Sequence, residues 1–371
     1  WVLADEKGAD NKITTLDPTI KRVREVIKWS SKLTAESKQF EECYIWPEVV
    51  RMLFVKLQLA EGSLIGLVGL QGVGKSQALI QLYYALYDLW KDSNGMCSKV
   101  FLIKWPGGEG PIDELFTLLL QQDEYFEEDY LDFLYFEIKD RLRKDPAMIR
   151  KVKQFLGKQP VGSLWHSDLK ELEDEVFNSS YQDVEGSFFA SSKIKKLREH
   201  FVISTLANAK VVLIDMRDYK KSESRLFETD IMGIQRLWDK VINYSNQEEE
   251  AAPNFVIAFQ KELFFGSKGV THFLLGKMET YEIKPLTPKD LYDLYLRKFQ
   301  DPFPFQPDAL MKIAKLSRGV PRRFLRYINL CVEALFLGIV GPPPIDTSMV
   351  DRVVTEDELR KDLELELSAL F

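Results

Sequence analysis

Hydrophobic positions in the first 60 residues recur at helical spacing. Ile20, Val23, Val26 and Ile27 fall on one face, and a second apolar-periodic stretch follows over 47–59, so 1–60 is predicted as a helical segment. The period then changes. Residues 64–68 (LIGLV), 100–103 (VFLI), 210–215 (KVVLID) and 254–260 (NFVIAFQ) are short apolar, β-branched runs, and a shorter run lies at 281–283. Such runs, alternating with helix-period segments, are the mark of strands buried on both faces. The expected fold is α/β, a P-loop NTPase-type parallel sheet flanked by helices.

Helical period returns after the last strand. In LTPKD, Thr287 is placed as N-cap, Pro288 at the first helical position and Asp290 as the partner in a capping box. Ala309, Leu310, Ile313, Ala314 and Leu316 form the apolar face of the next helix, and Phe324, Ile328, Cys331 and Leu335 that of another. Gly319 and Pro321 separate the two as a helix stop and start. GPPPID at 341–346 breaks the run.

The turn after the first strand carries the most specific chemistry. Gly69, Gly72, Gly74, Lys75 and Ser76 complete G-x-x-x-x-G-K-[ST] without substitution, between a predicted strand and the helical spacing of Ala78, Leu79, Ile80 and Leu82. Glycines allow positive φ, so successive N–H groups converge on an anion at a helix start. The stretch Gly69, Leu70, Gln71, Gly72, Val73, Gly74, Lys75, Ser76 and Gln77 is therefore expected to cradle the phosphates of ATP or ADP. Lys75 is expected to face solvent in the free protein and to reach the β- and γ-phosphates, and Ser76 to ligate Mg²⁺. The strand at 210–215 looks like a Walker B strand, with Asp215 as the second metal-side residue beside Ser76. Many ATPases of this type carry a glutamate next; here Met216, Arg217 and Asp218 follow. Asp218 is the candidate base, or else a helix-capping aspartate, and hydrolysis is expected to be slow or partner-stimulated. Guanine reading by N-K-x-D is absent, since AFQKELF offers Gln260, Lys261, Glu262 and Leu263 instead. Adenine is the expected base.

Taken in order, Gly69 to Ser76, Asp215, Gln260 and the G-x-P-R of Gly319 to Arg322 resemble the AAA+ superfamily. The branches most similar are the replication-initiator (origin-recognition) proteins and the archaeal STAND-type ATPases. The resemblance implies that Gln260 acts as sensor 1, between the metal carboxylate and the γ-phosphate. It also implies a small helical lid from which Arg322, or its neighbour Arg323, reaches the γ-phosphate as sensor 2. The catalytic set read this way is Lys75, Asp215, Asp218, Gln260 and Arg322. The organisation implied is an N-terminal helical segment (1–60), a core (61–286) with a helical insertion at about 108–200, and a lid with a C-terminal helix (287–371).

Composition narrows the partners. Over 371 residues, 45% hydrophobic and 29% charged content describes a globular chain, and the net charge of −7 disfavours a surface that grips nucleic acid all over. No apolar run approaches the length of a membrane span. Cys43, Cys97 and Cys331 are too far apart and too few for a disulfide framework, so a cytoplasmic home is expected. His166, His200 and His272 are equally scattered, which argues against a zinc site or a Ser/His/Asp triad. The chain opens at Trp1 without a leader pattern, which reads as a trimmed piece of a longer protein.

The distance from Ser76 to Asp215, 139 positions, exceeds what one strand and its helices need. Within it, 121–140 holds eight acids against Lys139, and 141–158 holds seven bases against Asp145. Phe126, Leu131, Leu134, Tyr135 and Ile138 are interleaved at helical spacing. These blocks pair with each other, present solvated faces, or offer the basic segment 141–158 to double-stranded DNA or to a protein partner. The initiator winged-helix DNA reader is not seen after 354. Two readings of function therefore stand: an ATP-dependent switch in a DNA transaction (initiator, loader or transposition regulator), or a STAND-like regulator that assembles with itself or with protein partners and binds no DNA. A small-molecule P-loop kinase is disfavoured by the G-x-P-R pattern.

Overall fold

A computed structural model describes residues 18–30, 44–93, 97–108, 111–122, 184–219, 221–261 and 277–354. The charge blocks of 123–158, Cys43, His166, His272, Glu262, Leu263 and the stretch after 354 lie outside the described residues. In chain order the elements are α1 (Pro18–Ser30), α2 (Glu48–Leu59), β1 (Leu64–Gly69), α3 (Lys75–Trp90), β2 (Val100–Lys104), α4 (Ile112–Gln122) and α5 (Val184–Ala207). They continue with β3 (Val211–Asp215), α6 (Ser224–Gln247), β4 (Asn254–Gln260), β5 (Met278–Glu282), α7 (Pro288–Phe299), α8 (Pro307–Leu316), α9 (Pro321–Phe336) and α10 (Thr347–Val353).

The five strands form one sheet in the order β2-β3-β4-β1-β5, and every pairing is parallel. Alternation along each strand sends its side chains to opposite faces. Leu64 and Val68, Phe101 and Ile103, Val212 and Ile214, and Phe255, Ile257 and Phe259 share a core with Phe116 of α4, Leu206 of α5 and Ile234 of α6. Ile65, Leu67, Leu213, Val256 and Ala258 share the opposite core with Leu53 of α2 and Leu79 and Leu82 of α3. Every residue of β1 and β4 is buried, so these two strands are the centre of the sheet.

The fifth strand differs from expectation. It spans Met278–Glu282 rather than 281–283, in register with Leu64 to Val68 of β1. Glu279, Thr280 and Glu282 are exposed, because an edge strand needs backbone pairing on one side and little apolar cover. Ile283, the strongest hydrophobic signal there, is 1% exposed and lies just past the strand, its N–H donating to the Val68 carbonyl at 2.8 Å.

A second core lies outside the sheet. Leu291 and Tyr295 of α7, Leu310 and Ile313 of α8, Phe324 and Ile328 of α9 and Val350 of α10 pack together, and Val23, Val26 and Trp29 of α1 pack with them. Trp29 meets Tyr295 and Phe299 edge-on, with ring centroids 5.8 and 5.3 Å apart. Arg22 donates to the Phe299 carbonyl and to Asp301, both at 2.8 Å. The first helix thus joins helices more than 250 residues downstream. The capping box at α7 forms as predicted: Asp290 N–H donates to Thr287 Oγ1 at 3.1 Å, and Thr287 N–H to the Asp290 carboxylate at 2.9 Å.

Trp29 is 2% exposed, so Trp29→Ala is expected to lower stability by about 3–5 kcal/mol, the usual range for a buried large aromatic. Urea unfolding followed by circular dichroism checks this.

Candidate nucleotide-binding site

β1 ends at Gly69, and the chain turns through 70–74 before α3 starts at Lys75. Gly72 and Gly74 have φ of 77° and 103°, values that side chains resist. A Cβ at Gly72 would also lie 3.0 Å from Arg322 Cβ, so the missing side chain lets the start of α9 come close. The Arg322 N–H points at the Gly72 carbonyl at 3.4 Å. No side chain caps α3, and its first N–H donors face the turn as an anion site requires.

Lys75 does not face solvent. It is 8% exposed, and its ammonium donates to the carbonyls of Gly69 at 3.1 Å and Leu70 at 3.0 Å. The curl of the turn aims those carbonyls at the side chain and so draws it in. Ser76 Oγ donates to Asp215 Oδ1 at 2.9 Å, joining the two residues across 139 positions of chain. Burial pushes the Asp215 carboxyl up from 3.8 to about 6, against the Ser76 hydrogen bond and the Lys75 charge, which pull it down. One hydroxyl and one carboxylate are hard oxygen donors that suit Mg²⁺, an ion that completes its shell with water and phosphate. Among the described residues no group of three or more His, Cys, Asp or Glu stands ready to hold a metal ion by itself.

Asp218 sits at the mouth of the turn. Its Oδ2 accepts from Gln71 Nε2 at 3.2 Å and from Arg322 Nη1 at 3.0 Å. Arg322, rather than Arg323, lines the cavity beside the turn, together with 72–77, Met216 and Asp218. Gln260 ends the strand beside the turn. Paired in register with Gly69, it is 6% exposed, and its Oε1 accepts from the Tyr219 N–H at 3.1 Å. It holds the loop after β3 and does not line the cavity.

Two features escaped sequence reasoning. The far wall of the cavity is apolar, built from Tyr44, Ile45, Leu294 and Leu325. Four residues from three distant segments carry no local signal. Burial pushes the Tyr44 phenol well above its usual range. The other is Asp230 on α6, 2% exposed, which accepts from the Gly108 N–H at 2.5 Å and from the Tyr219 hydroxyl. Burial and this carboxylate raise the Tyr219 phenol. Arg217 Nε lies 3.8 Å from Asp230, and its guanidinium stands over the Tyr219 ring. An aspartate amid Phe227, Ile231 and Ile234 on the apolar face of a helix was the available signal. Asp230 ties the loops after β2 and β3 together, and through Tyr219 reaches Gln260.

No family model and no curated protein sequence matches the chain. Among solved structures it is similar to Drosophila ORC bound to DNA, with a TM-score of 0.47 and 13% identity over 96% of this chain and 70% of that one. It is also similar to the Aeropyrum pernix ORC1 protein in complex with DNA (TM-score 0.42, 13% identity, 86% of this chain and 66% of that one). A third is the Aeropyrum pernix ORC2 protein in ADPNP–ADP complexes (TM-score 0.44, 12% identity, 86% and 71%). The α/β P-loop fold itself follows from this chain's own parallel strand order and its glycine-rich turn between β1 and α3.

The raised Asp215 carboxyl sets a pH dependence. The folded chain keeps this proton up to about pH 6, while the unfolded chain releases it near 3.8. Between those values the folded state binds more protons, so stability falls as pH rises, and the penalty is complete above about 6. Asp215→Asn removes it. In metal-free buffer the variant is expected to be more stable than wild type above pH 6, by about 1–3 kcal/mol, with the gain vanishing below about pH 4. Denaturant titrations at pH 4 and 7.5 test this.

Proposed function

We propose that the chain binds and slowly hydrolyses ATP with Mg²⁺, and that the bound nucleotide sets a conformational switch. The observation that carries this reading is the Ser76–Asp215 contact at 2.9 Å beside an uncapped helix start. It brings the two oxygen donors of a magnesium–phosphate site to the same point as the converging N–H groups. Backbone N–H groups of 72–76 hold the phosphates, and the Lys75 ammonium moves from the Gly69 and Leu70 carbonyls to the β- and γ-oxygens. Ser76 and Asp215 would hold Mg²⁺, which would supply neutralisation of charge on the β- and γ-phosphates. The apolar wall of Tyr44, Ile45, Leu294 and Leu325 suits a flat base, which stacks and buries there. Gln260 positions the loop after β3 by holding Tyr219.

Slow turnover follows from position 216. The residue after Asp215 is Met216, 6% exposed, and a thioether cannot polarise an attacking water. We assign the switch to a DNA transaction of the initiator, loader or transposition-regulator type. Support comes from the order of the motifs and from the basic segment 141–158, whose seven cations suit phosphate contacts. Salt-dependent, ATP-stimulated retardation of duplex DNA is the direct test. ATP-driven assembly without any DNA binding would favour the STAND-like regulator instead.

For nucleotide binding the deciding variant is Lys75→Ala. Losing charged hydrogen bonds to phosphate is expected to weaken ATP about 10- to 100-fold, with an unchanged circular dichroism spectrum. Competition titration of a fluorescent ATP analogue, with GTP no better a competitor than ATP, completes the test; full affinity in the variant would overturn the site.

A further inference from the structure

We infer that Asp218 is an internal competitor for the terminal phosphate, and that it sets how strongly the site distinguishes ATP from ADP. The inference rests on the proposed nucleotide site. Its own observation is the placement of one carboxylate oxygen between two donors, one on the glycine-rich turn and one at the start of α9. Asp218 Oδ2 accepts from Gln71 of the phosphate turn at 3.2 Å and from the Arg322 guanidinium at 3.0 Å. Gln71 and Arg322 are thereby engaged by an anion that the chain itself supplies, at the mouth of a turn whose N–H groups converge on anions.

The geometry defines what a third phosphate must do. Arg322 is anchored at its backbone near the Gly72 carbonyl, 3.4 Å away, so its guanidinium moves by side-chain rotation while α9 stays in place. It is half-exposed, as is Asp218. A partly exposed ion pair of this kind is weak, and a phosphate oxygen carrying greater charge outbids it. ADP, which ends one phosphate short, leaves the Arg322–Asp218 pair intact. ATP binds only by taking the guanidinium from Asp218, and it must tolerate the freed carboxylate nearby. Asp218 therefore holds the start of α9 against the turn while no γ-phosphate is present, and it subtracts from the advantage of ATP. Its charge is felt as far as Asp215, where it helps to raise that carboxyl.

A carboxylate occupied in this way differs from a general base, which must face an attacking water. Asp218 is a specificity-determining residue. The isosteric Asp218→Asn removes the charge and keeps the size. Its ATP affinity is expected to rise on the order of two- to fivefold, the upper part of the range of a partly exposed ion pair, while ADP affinity changes less than twofold.

The test is isothermal titration of ATP and ADP, with magnesium present, on wild type, Asp218→Asn, Arg322→Ala and the double variant. A larger ATP/ADP affinity ratio in Asp218→Asn, lost when Arg322 is also alanine, is the expected result. The same increase in both backgrounds would mean plain charge repulsion and would overturn the competition. Unchanged affinities with turnover reduced a hundredfold or more would make Asp218 the base and overturn it as well. Wild-type binding with an unaltered ratio in Asp218→Asn overturns this inference alone. A wild-type chain that binds neither nucleotide overturns the proposed function and this inference together.

Discussion

Every strand of the sheet runs the same way, and the site depends on that. Parallel pairing brings all strand C-termini to one edge. Gly69, Asp215 and Gln260, the last residues of β1, β3 and β4, therefore meet there although they come from three distant segments. The apolar faces of β1 and β4 enforce this arrangement, since a one-residue slip of either strand would exchange its two cores. Burial of hydrophobic surface thus fixes the position of a polar site, and the same burial raises the cost of charging Asp215.

The docking of α9 depends on a second close approach. Gly319 has φ 77°, and a Cβ there would fall 2.3 Å from the Leu286 carbonyl oxygen. The Leu286 N–H donates to the Gly319 carbonyl at 2.8 Å. Bare backbone at 319 lets the turn between α8 and α9 lie on the segment that leaves the sheet. Arg322, three residues on, is brought against the glycine-rich turn as a result. The G-x-P-R spacing has a plain physical content here: a glycine to approach, a proline to start the helix, and an arginine one residue into it.

What was legible in the sequence was local. The glycine-rich turn, four of the strands, the capping box at Thr287 and the stop at Gly319 each depend on residues within a few positions of one another. Met278–Glu282 was misplaced by three residues because an edge strand lacks the apolar signature that marked Ile283. The packing of α1 with α7 and α9, the apolar wall around Tyr44 and Leu294, the inward turn of Lys75 and the shared donors of Asp218 all join distant segments. Periodicity carries no information about such pairs. Gln260 shows the limit of motif reasoning, since the strand end was found but the direction of its side chain was set by Tyr219.

The position of α1 has a consequence for how the chain is made. Arg22 and its acceptor at Phe299 are 277 residues apart. At a synthesis rate of about 5–20 residues per second, α1 waits roughly 14–55 s for that partner to be made. During that interval Val23, Val26 and Trp29 have no native surface to cover them, while the sheet between them and their partners is being built. Among the described elements the helical unit is thus begun first and closed last. A ribosome-bound chain carries an exposed apolar helix until α7 to α9 have emerged, which is the condition under which a chaperone that holds nascent segments acts.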